Sequence, residues 1–264
     1  MRIWCLTENT TQREDMQTEH GLSLYIETEE GQKILFDMGQ TAAFAENAKT
    51  LGIDLEKVDV AIISHGHYDH GGGLLYFLQQ NQRAKVYLQK EAFVPHFNGE
   101  RYIGLSSELE DYRERFCWVE DDRKIGAGLE LRTYHGAEQR EPSYGAGLFM
   151  EKDGQRQADD FQHEQYLLIQ EGQKRVLVSG CSHRGILNLL AWERADVIIG
   201  GFHLMKLIPQ TEDQMELERI ADRLRTYPVQ YHTCHCTGEE PYRYLKQRLG
   251  EQLSYLSAGM QVEL

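Results

Sequence analysis

Three short apolar-rich segments stand out in the first forty residues, and one of them, His20 to Ile26, alternates with the two-residue period of a half-buried strand. Arg2 to Leu6 reads as a first strand, His20 to Ile26 as a second, and Lys33 to Met38 as a third. Glu29-Glu30-Gly31 supplies the turn between the last two, so this part is an antiparallel meander. The period lengthens over Phe44 to Leu51, which predicts a helix stopped by Gly52. Val58 to Ile63 is short, β-branched and bounded by turn residues, the pattern of a buried strand. Gly73 to Gln80 then turns helical, and Ala84 to Leu88 is a further strand.

From about Lys90 to Asp160 the pattern loosens into polar, Tyr-rich and Gly-rich segments, with strands expected only at Phe116 to Val119 and Leu129 to Tyr134. A stretch of that length without a period is expected to be a functional loop system or an inserted, substrate-facing subdomain at residues 91–160. The acidic pair Asp159-Asp160 reads as turn or surface charge, and His96, His135 and His163 are not expected to be catalytic, with His135 in Thr-Tyr-His-Gly the one candidate for a substitute ligand. Order returns with a hairpin, Tyr166 to Ile169 and Arg175 to Ser179, turning at Glu171-Gly172. A helix (Ile186 to Arg194), a strand (Asp196 to Gly200), a long helix (Glu212 to Thr226), a strand (Val229 to Thr233), a last helix (Glu240 to Leu249) and a closing strand near Gln261 follow. Two β-rich halves covered by helices, in one domain over residues 1–264, make the fold class α/β (α+β).

Composition narrows the function. Hydrophobic residues at 41% and charged residues at 27% are those of a soluble globular protein. A net charge of −14 argues against a nucleic-acid groove built on bulk positive charge. No apolar run approaches the roughly 18 residues of a membrane span, and MRIWCLTENTTQRED lacks the pattern of an export signal. Cytoplasmic residence, a small-molecule substrate and no nucleic-acid or membrane partner are therefore expected; an anionic substrate would be held by a local basic pocket or by metal ions. Five cysteines, an odd number with two flanking His235, favour reduced thiols over a disulfide framework.

The chemistry concentrates in SHGHYDHGGGL, residues 64–74, directly after the strand Val58 to Ile63. His65, His67, Asp69 and His70 fall within six residues. Imidazole and carboxylate are ligands that zinc, manganese and iron accept, and a strand end aims them rigidly. Three later strands also end in ligand-type residues: Cys181 and His183 in GCSH, His203 in GGFHL, and His235 in CHCTG. Two metal ions need about six ligands, so two or three residues must join the first four; His183 and His235 fill the count best, with Cys181 as a candidate thiolate.

SHGHYDHGGGL resembles the H-x-H-x-D-H signature of the metallo-β-lactamase superfamily. VLVSGCSHRGILN, HCTG, HGLSLYIE, KILFDMG and IIGGFHL resemble one branch of it, the 7,8-dihydropterin-6-methyl-4-(β-D-ribofuranosyl)-aminobenzene-5′-phosphate synthase-like metallo-hydrolases. The likeness covers residues 20–90 and 160–264. It implies a four-layer αββα sandwich with two divalent metal ions, zinc first, with manganese or iron as alternatives. His65, His67 and His183 would hold one ion; Asp69, His70 and His235 would hold the other. The bridging aspartate of most relatives is replaced here by Gly180-Cys181-Ser182, which keeps Cys181 as a candidate ligand.

A metal-activated water, its pKa lowered to about 7, is a nucleophile at neutral pH. Asp69 would orient it, and His203 or His20 would supply a proton to the leaving group. The expected activity is hydrolysis of a phosphate ester or phosphodiester, of pterin or ribosyl-phosphate type by the resemblance. Two alternatives stand beside it: a di-iron redox protein on the same fold, or a non-catalytic metal-binding module. Against the redox alternative, His67 stands where those relatives carry glutamate.

Overall fold

The computed structural model describes residues 1–264. Contacts divide the chain into two compact units. The first comprises Met1–Asp122, Gly147–Gln165 and Ser257–Leu264; the second comprises Arg123–Ala146 and Tyr166–Leu256.

In the first unit the meander forms as the sequence pattern predicts. Arg2–Thr7, Ser23–Glu27 and Lys33–Phe36 pair antiparallel, and Gln261–Glu263 adds to the outer edge of Arg2–Thr7. The sheet then turns parallel through Val60–Ile62, Lys85–Gln89 and Phe116–Val119, seven strands in all. Parallel strands require crossovers, and the helices Ala43–Thr50 and Leu74–Gln80 supply them. Phe44, Leu74, Phe77 and Leu78 are buried with Leu35, Ala61, Ile63, Val86 and Leu88 in one core. Each such side chain contributes about 1.5–3 kcal/mol relative to exposure, so this core holds the end of Val60–Ile62 in place.

The loosely patterned stretch is more ordered than its sequence predicts. Gln155–Ala158, Leu148–Lys152, His96–Asn98 and Arg101–Tyr102 form a separate four-stranded antiparallel sheet. These strands are two to five residues long, and Gln155–Ala158 is exposed throughout, so no alternation marked them. Residues 123–146 of the same stretch belong to the second unit.

The second unit is built on another seven-stranded sheet, ordered Leu253–Tyr255, Gln230–Thr233, Val197–Gly200, Lys174–Val178, Tyr166–Glu171, Leu129–Arg132 and Arg123–Gly126. The first four run parallel and the remainder antiparallel. Val197–Gly200 is buried along its whole length, as its unbroken apolar run requires. The helices Ile186–Trp192, Gln214–Arg225 and Glu239–Leu249 contribute Leu189, Ile220, Leu224 and Leu245 to the core. Because Lys174–Val178, Val197–Gly200 and Gln230–Thr233 are parallel, the residues after them leave the sheet at one edge, where open α/β sheets place their sites. No helix is long and apolar enough to cross a membrane.

Candidate metal centre

In the first unit, Val60–Ile62 leads into Ser64 and His65, and the one-turn helix Tyr68–Gly71 carries Asp69 and His70. His65, His67 and His70 are buried, and the His65 ring lies 4.5 Å from that of His67 and 4.1 Å from that of His70. The glycines make this packing possible. A Cβ on Gly66 would lie 2.3 Å from the Ala92 carbonyl oxygen, and one on Gly73 would lie 2.2 Å from that of Met38.

A buried carboxylate that the sequence reading passed over, Asp37, organises the cluster. It follows Lys33–Phe36 with φ of 58°, and it is fully buried. Oδ1 accepts the Ser64 backbone N–H at 2.7 Å, while Oδ2 accepts Ser64 Oγ–H at 2.7 Å and His70 Nδ1–H at 2.7 Å. A carboxylate only accepts, so the single Ser64 hydroxyl proton points to Asp37. Ser64 Oγ must then accept from His65 Nδ1, 2.8 Å away. Both protons are thus placed on Nδ1, and His65 and His70 each retain the Nε2 lone pair. A divalent ion bound through Nε2 requires that tautomer, and outer carboxylate and hydroxyl partners are the usual means of fixing it.

Asp69 Oδ2 lies 3.2 Å from His20 Nε2, whose ring is half-exposed. Asn9 Nδ2 donates to His20 Nδ1 at 3.3 Å, which leaves the His20 proton on the nitrogen facing Asp69. Burial pulls His67 below its ordinary pKa, against the opposing pull of Asp159.

Behind His67 lies a group that sequence reasoning dismissed. Asp159 is buried rather than a surface charge, and its carboxylate meets His96 Nδ1 at 2.8 Å and His163 Nε2 at 3.2 Å. Burial opposes its ionisation, yet His163, His67 and His96 hold the carboxyl well below the usual range. Burial, with His96 adjacent, pushes His163 down to about 3.

The second unit carries the other half of the ligand types. Cys181, His183 and His203 bring one ligand atom each within 4.8 Å of one another, as do Cys181, His235 and Cys236. The rings of His183 and His203 are 4.2 Å apart. All of these residues are buried. Ser182, His203 and His235 have φ of 55°, 52° and 48°, a conformation that costs a non-glycine residue free energy and recurs at functional sites. Burial raises the Cys236 thiol, but its contacts with Cys181 and His203, with His235 nearby, bring it well below its ordinary value.

The model of the metallo-β-lactamase superfamily matches residues 17–182, more than half of the chain. The chain belongs to the metallo-β-lactamase superfamily. A solved superfamily structure, Tm1679, described as a metal-dependent hydrolase, is 34% identical with a TM-score of 0.85 over 100% of this chain and 99% of that one. An uncharacterized protein of Methanocaldococcus jannaschii, MJ0448, is 31% identical over 93% of this chain and 94% of its own. The same organism's 7,8-dihydropterin-6-methyl-4-(β-D-ribofuranosyl)-aminobenzene-5′-phosphate synthase is 28% identical over 92% and 89%. The branch of the superfamily inferred from the motifs is therefore the one found.

Within this superfamily fold, the first unit brings His65, His67, Asp69 and His70 together, and the second brings Cys181, His183, His203 and His235 together. Sequence reasoning missed Asp37, Asp159 and Cys236. For Asp37 a signal existed, since an aspartate closing the apolar run Ile34-Leu35-Phe36 has to be buried and partnered.

Proposed function

We propose that this chain is a metal-dependent hydrolase acting on a phosphate ester or phosphodiester of a small, anionic metabolite. The observation that carries this reading is the Asp37–Ser64 system, which leaves His65 and His70 with Nε2 lone pairs directed away from their buried partners. Two neighbouring imidazoles fixed in the same tautomer by outer partners are the arrangement found around ligands of a divalent ion. The kinship with Tm1679 supports the reaction type. The 28%-identical synthase, by its name, supports a pterin or ribosyl-phosphate compound as substrate class.

By the motifs, His65, His67 and His183 would hold one divalent ion and Asp69, His70 and His235 a second, with Cys181 a further candidate ligand. Zinc suits the imidazole-rich set, with manganese and iron as alternatives. Such ions lower the pKa of coordinated water to about 7 and polarise a phosphoryl oxygen. The chain's own groups do the rest. Asp69 accepts a hydrogen bond from the attacking water and orients it. His20, reaching solvent while its Nε2 faces Asp69, passes protons in and out. His203 protonates the leaving group.

The test is elemental analysis of protein purified without chelator, with turnover of an aryl phosphodiester, for wild type and for His65→Ala, His183→Ala and His235→Ala. Two zinc or manganese ions in the wild type, lost together with turnover in each variant, support the reading. Oxygen-reactive iron without ester cleavage overturns it, and full metal content and rate in His183→Ala removes that residue from the ligand set.

A further inference from the structure

Four buried residues of the first unit, His67, His96, Asp159 and His163, bring one ligand atom each within 4.8 Å of one another. This group joins one motif residue, His67, to two segments outside the motif, the strand His96–Asn98 and residues 159–163. The first possibility is a further ion. The hydrogen bonds decide against it. His163 Nδ1 accepts the Gly66 backbone N–H at 2.8 Å. A neutral imidazole has one lone pair, so the His163 proton sits on Nε2 and is given to Asp159 at 3.2 Å. An ion held by Nε2 would demand an imidazolate. The group is a hydrogen-bonded network, and its centre is the carboxylate.

Asp159 accepts from His163 Nε2–H, from His96 Nδ1–H at 2.8 Å and from the Phe161 backbone N–H at 2.8 Å. Three donors leave the carboxylate charged and fixed. Its position is secured by Gln165, whose N–H donates to Ser64 O at 2.7 Å and whose Nε2 donates to Ile63 O at 2.8 Å and Tyr87 O at 3.0 Å. Residues 159–165 are thereby strapped to the ends of two parallel strands and to the motif loop itself. Asp159 Oδ2 faces His67 Nε2 at 3.9 Å. A fixed negative charge attracts an N–H that points at it and repels a lone pair. His67 therefore places its proton on Nε2, opposite to the arrangement deduced for His65 and His70.

We propose that Asp159, held by His96 and His163, is a positioning residue that fixes His67 in the Nε2–H tautomer and so presents Nδ1 as its ligand atom. The proposal rests on the metal-centre reading for its consequence, but not for the tautomer itself. Neighbouring ligands on a tight loop approach an ion from different directions, and two ring nitrogens offer two geometries. The Asp37 system selects one for His65 and His70, and the Asp159 system selects the other for His67.

The test is long-range proton–nitrogen correlation NMR of the histidine rings in metal-free, full-length protein, with zinc affinity measured separately by competition with a chromophoric chelator. Wild type is expected to show His67 protonated on Nε2 and His163 likewise, with His65 and His70 protonated on Nδ1. In Asp159→Asn the side-chain amide donates toward His67, so the His67 proton moves to Nδ1 while those of His65 and His70 stay. Zinc affinity then falls by about 10–100-fold, the usual effect of removing an outer partner of a ligand. His67 protonated on Nδ1 in the wild type overturns the proposal, whether or not the variant folds. An unchanged tautomer and zinc affinity in a folded Asp159→Asn overturn it as well. If wild type shows the expected tautomers but binds no zinc, the metal-centre reading fails while the assignment for Asp159 stands.

Discussion

Asp37→Asn is the most informative single change in the first unit. Asparagine has nearly the same shape and tolerates the φ of 58° that Asp37 adopts, so the backbone has no reason to move. The chemistry changes completely. Asp37 accepts three hydrogen bonds at 2.7 Å, from Ser64 N, Ser64 Oγ and His70 Nδ1. Asparagine can accept the first through its carbonyl oxygen, but its NH2 then meets the Ser64 hydroxyl and the His70 N–H. The hydroxyl can rotate to accept; His70 must move its proton to Nε2. One or two charge-assisted bonds at about 1.5–3 kcal/mol each are lost, so a net destabilisation of about 3 kcal/mol is expected. Moving the His70 proton also removes the lone pair that would bind an ion, so metal affinity should fall about 10–100-fold. Urea unfolding of the metal-free variant measures the first effect and chelator competition the second. An Asp37→Asn variant with wild-type midpoint and wild-type zinc affinity would refute the tautomer reasoning for both His65 and His70.

Other changes follow from single contacts. Gly66→Ala places a methyl group 2.3 Å from the Ala92 carbonyl, and the forced shift of the motif loop should cost about 2 kcal/mol in urea unfolding and lower metal content. Acidification should destabilise the metal-free protein through His163. Its folded pKa lies near 3, below the ordinary value, so the unfolded chain binds the extra proton and stability present above about 6.5 is lost towards pH 3, by about 5 kcal/mol in total. Asp159, also held low, adds to the loss below about 3.9; unfolding midpoints between pH 7 and 4 that do not fall would contradict this. His20→Gln should leave zinc affinity within a few-fold while slowing phosphodiester turnover about 10–100-fold, since only the proton route is removed; an equal loss of both would make His20 part of the metal-binding machinery.

Most of the fold was legible because its main strands are buried on a regular period. Val60–Ile62, Lys174–Val178 and Val197–Gly200 announce themselves by apolar runs and Gln230–Thr233 by alternating burial, and each ends in the residues that carry chemistry. The small sheet of His96–Asn98, Arg101–Tyr102, Leu148–Lys152 and Gln155–Ala158 was illegible because much of it is exposed and its longest strand has five residues. Ligand-type residues clustered in sequence were found at once. Those brought close only by folding were not. Asp159 and His163 read as a polar turn in QADDFQHEQ, because burial of a carboxylate depends on donors such as His96 that lie far away in the chain. Asp37 is the intermediate case: the strand before it was evident, but only the fold shows that its partners are Ser64 and His70.

Metal-stripped wild-type protein, titrated with zinc or manganese and assayed on an aryl phosphodiester at each addition, tests the central claim most directly. The account predicts no turnover without metal, a rise that saturates at two ions per chain, and loss again on adding chelator. Stoichiometric metal uptake with no phosphoester hydrolysis, or hydrolysis that persists in the stripped protein, would contradict it.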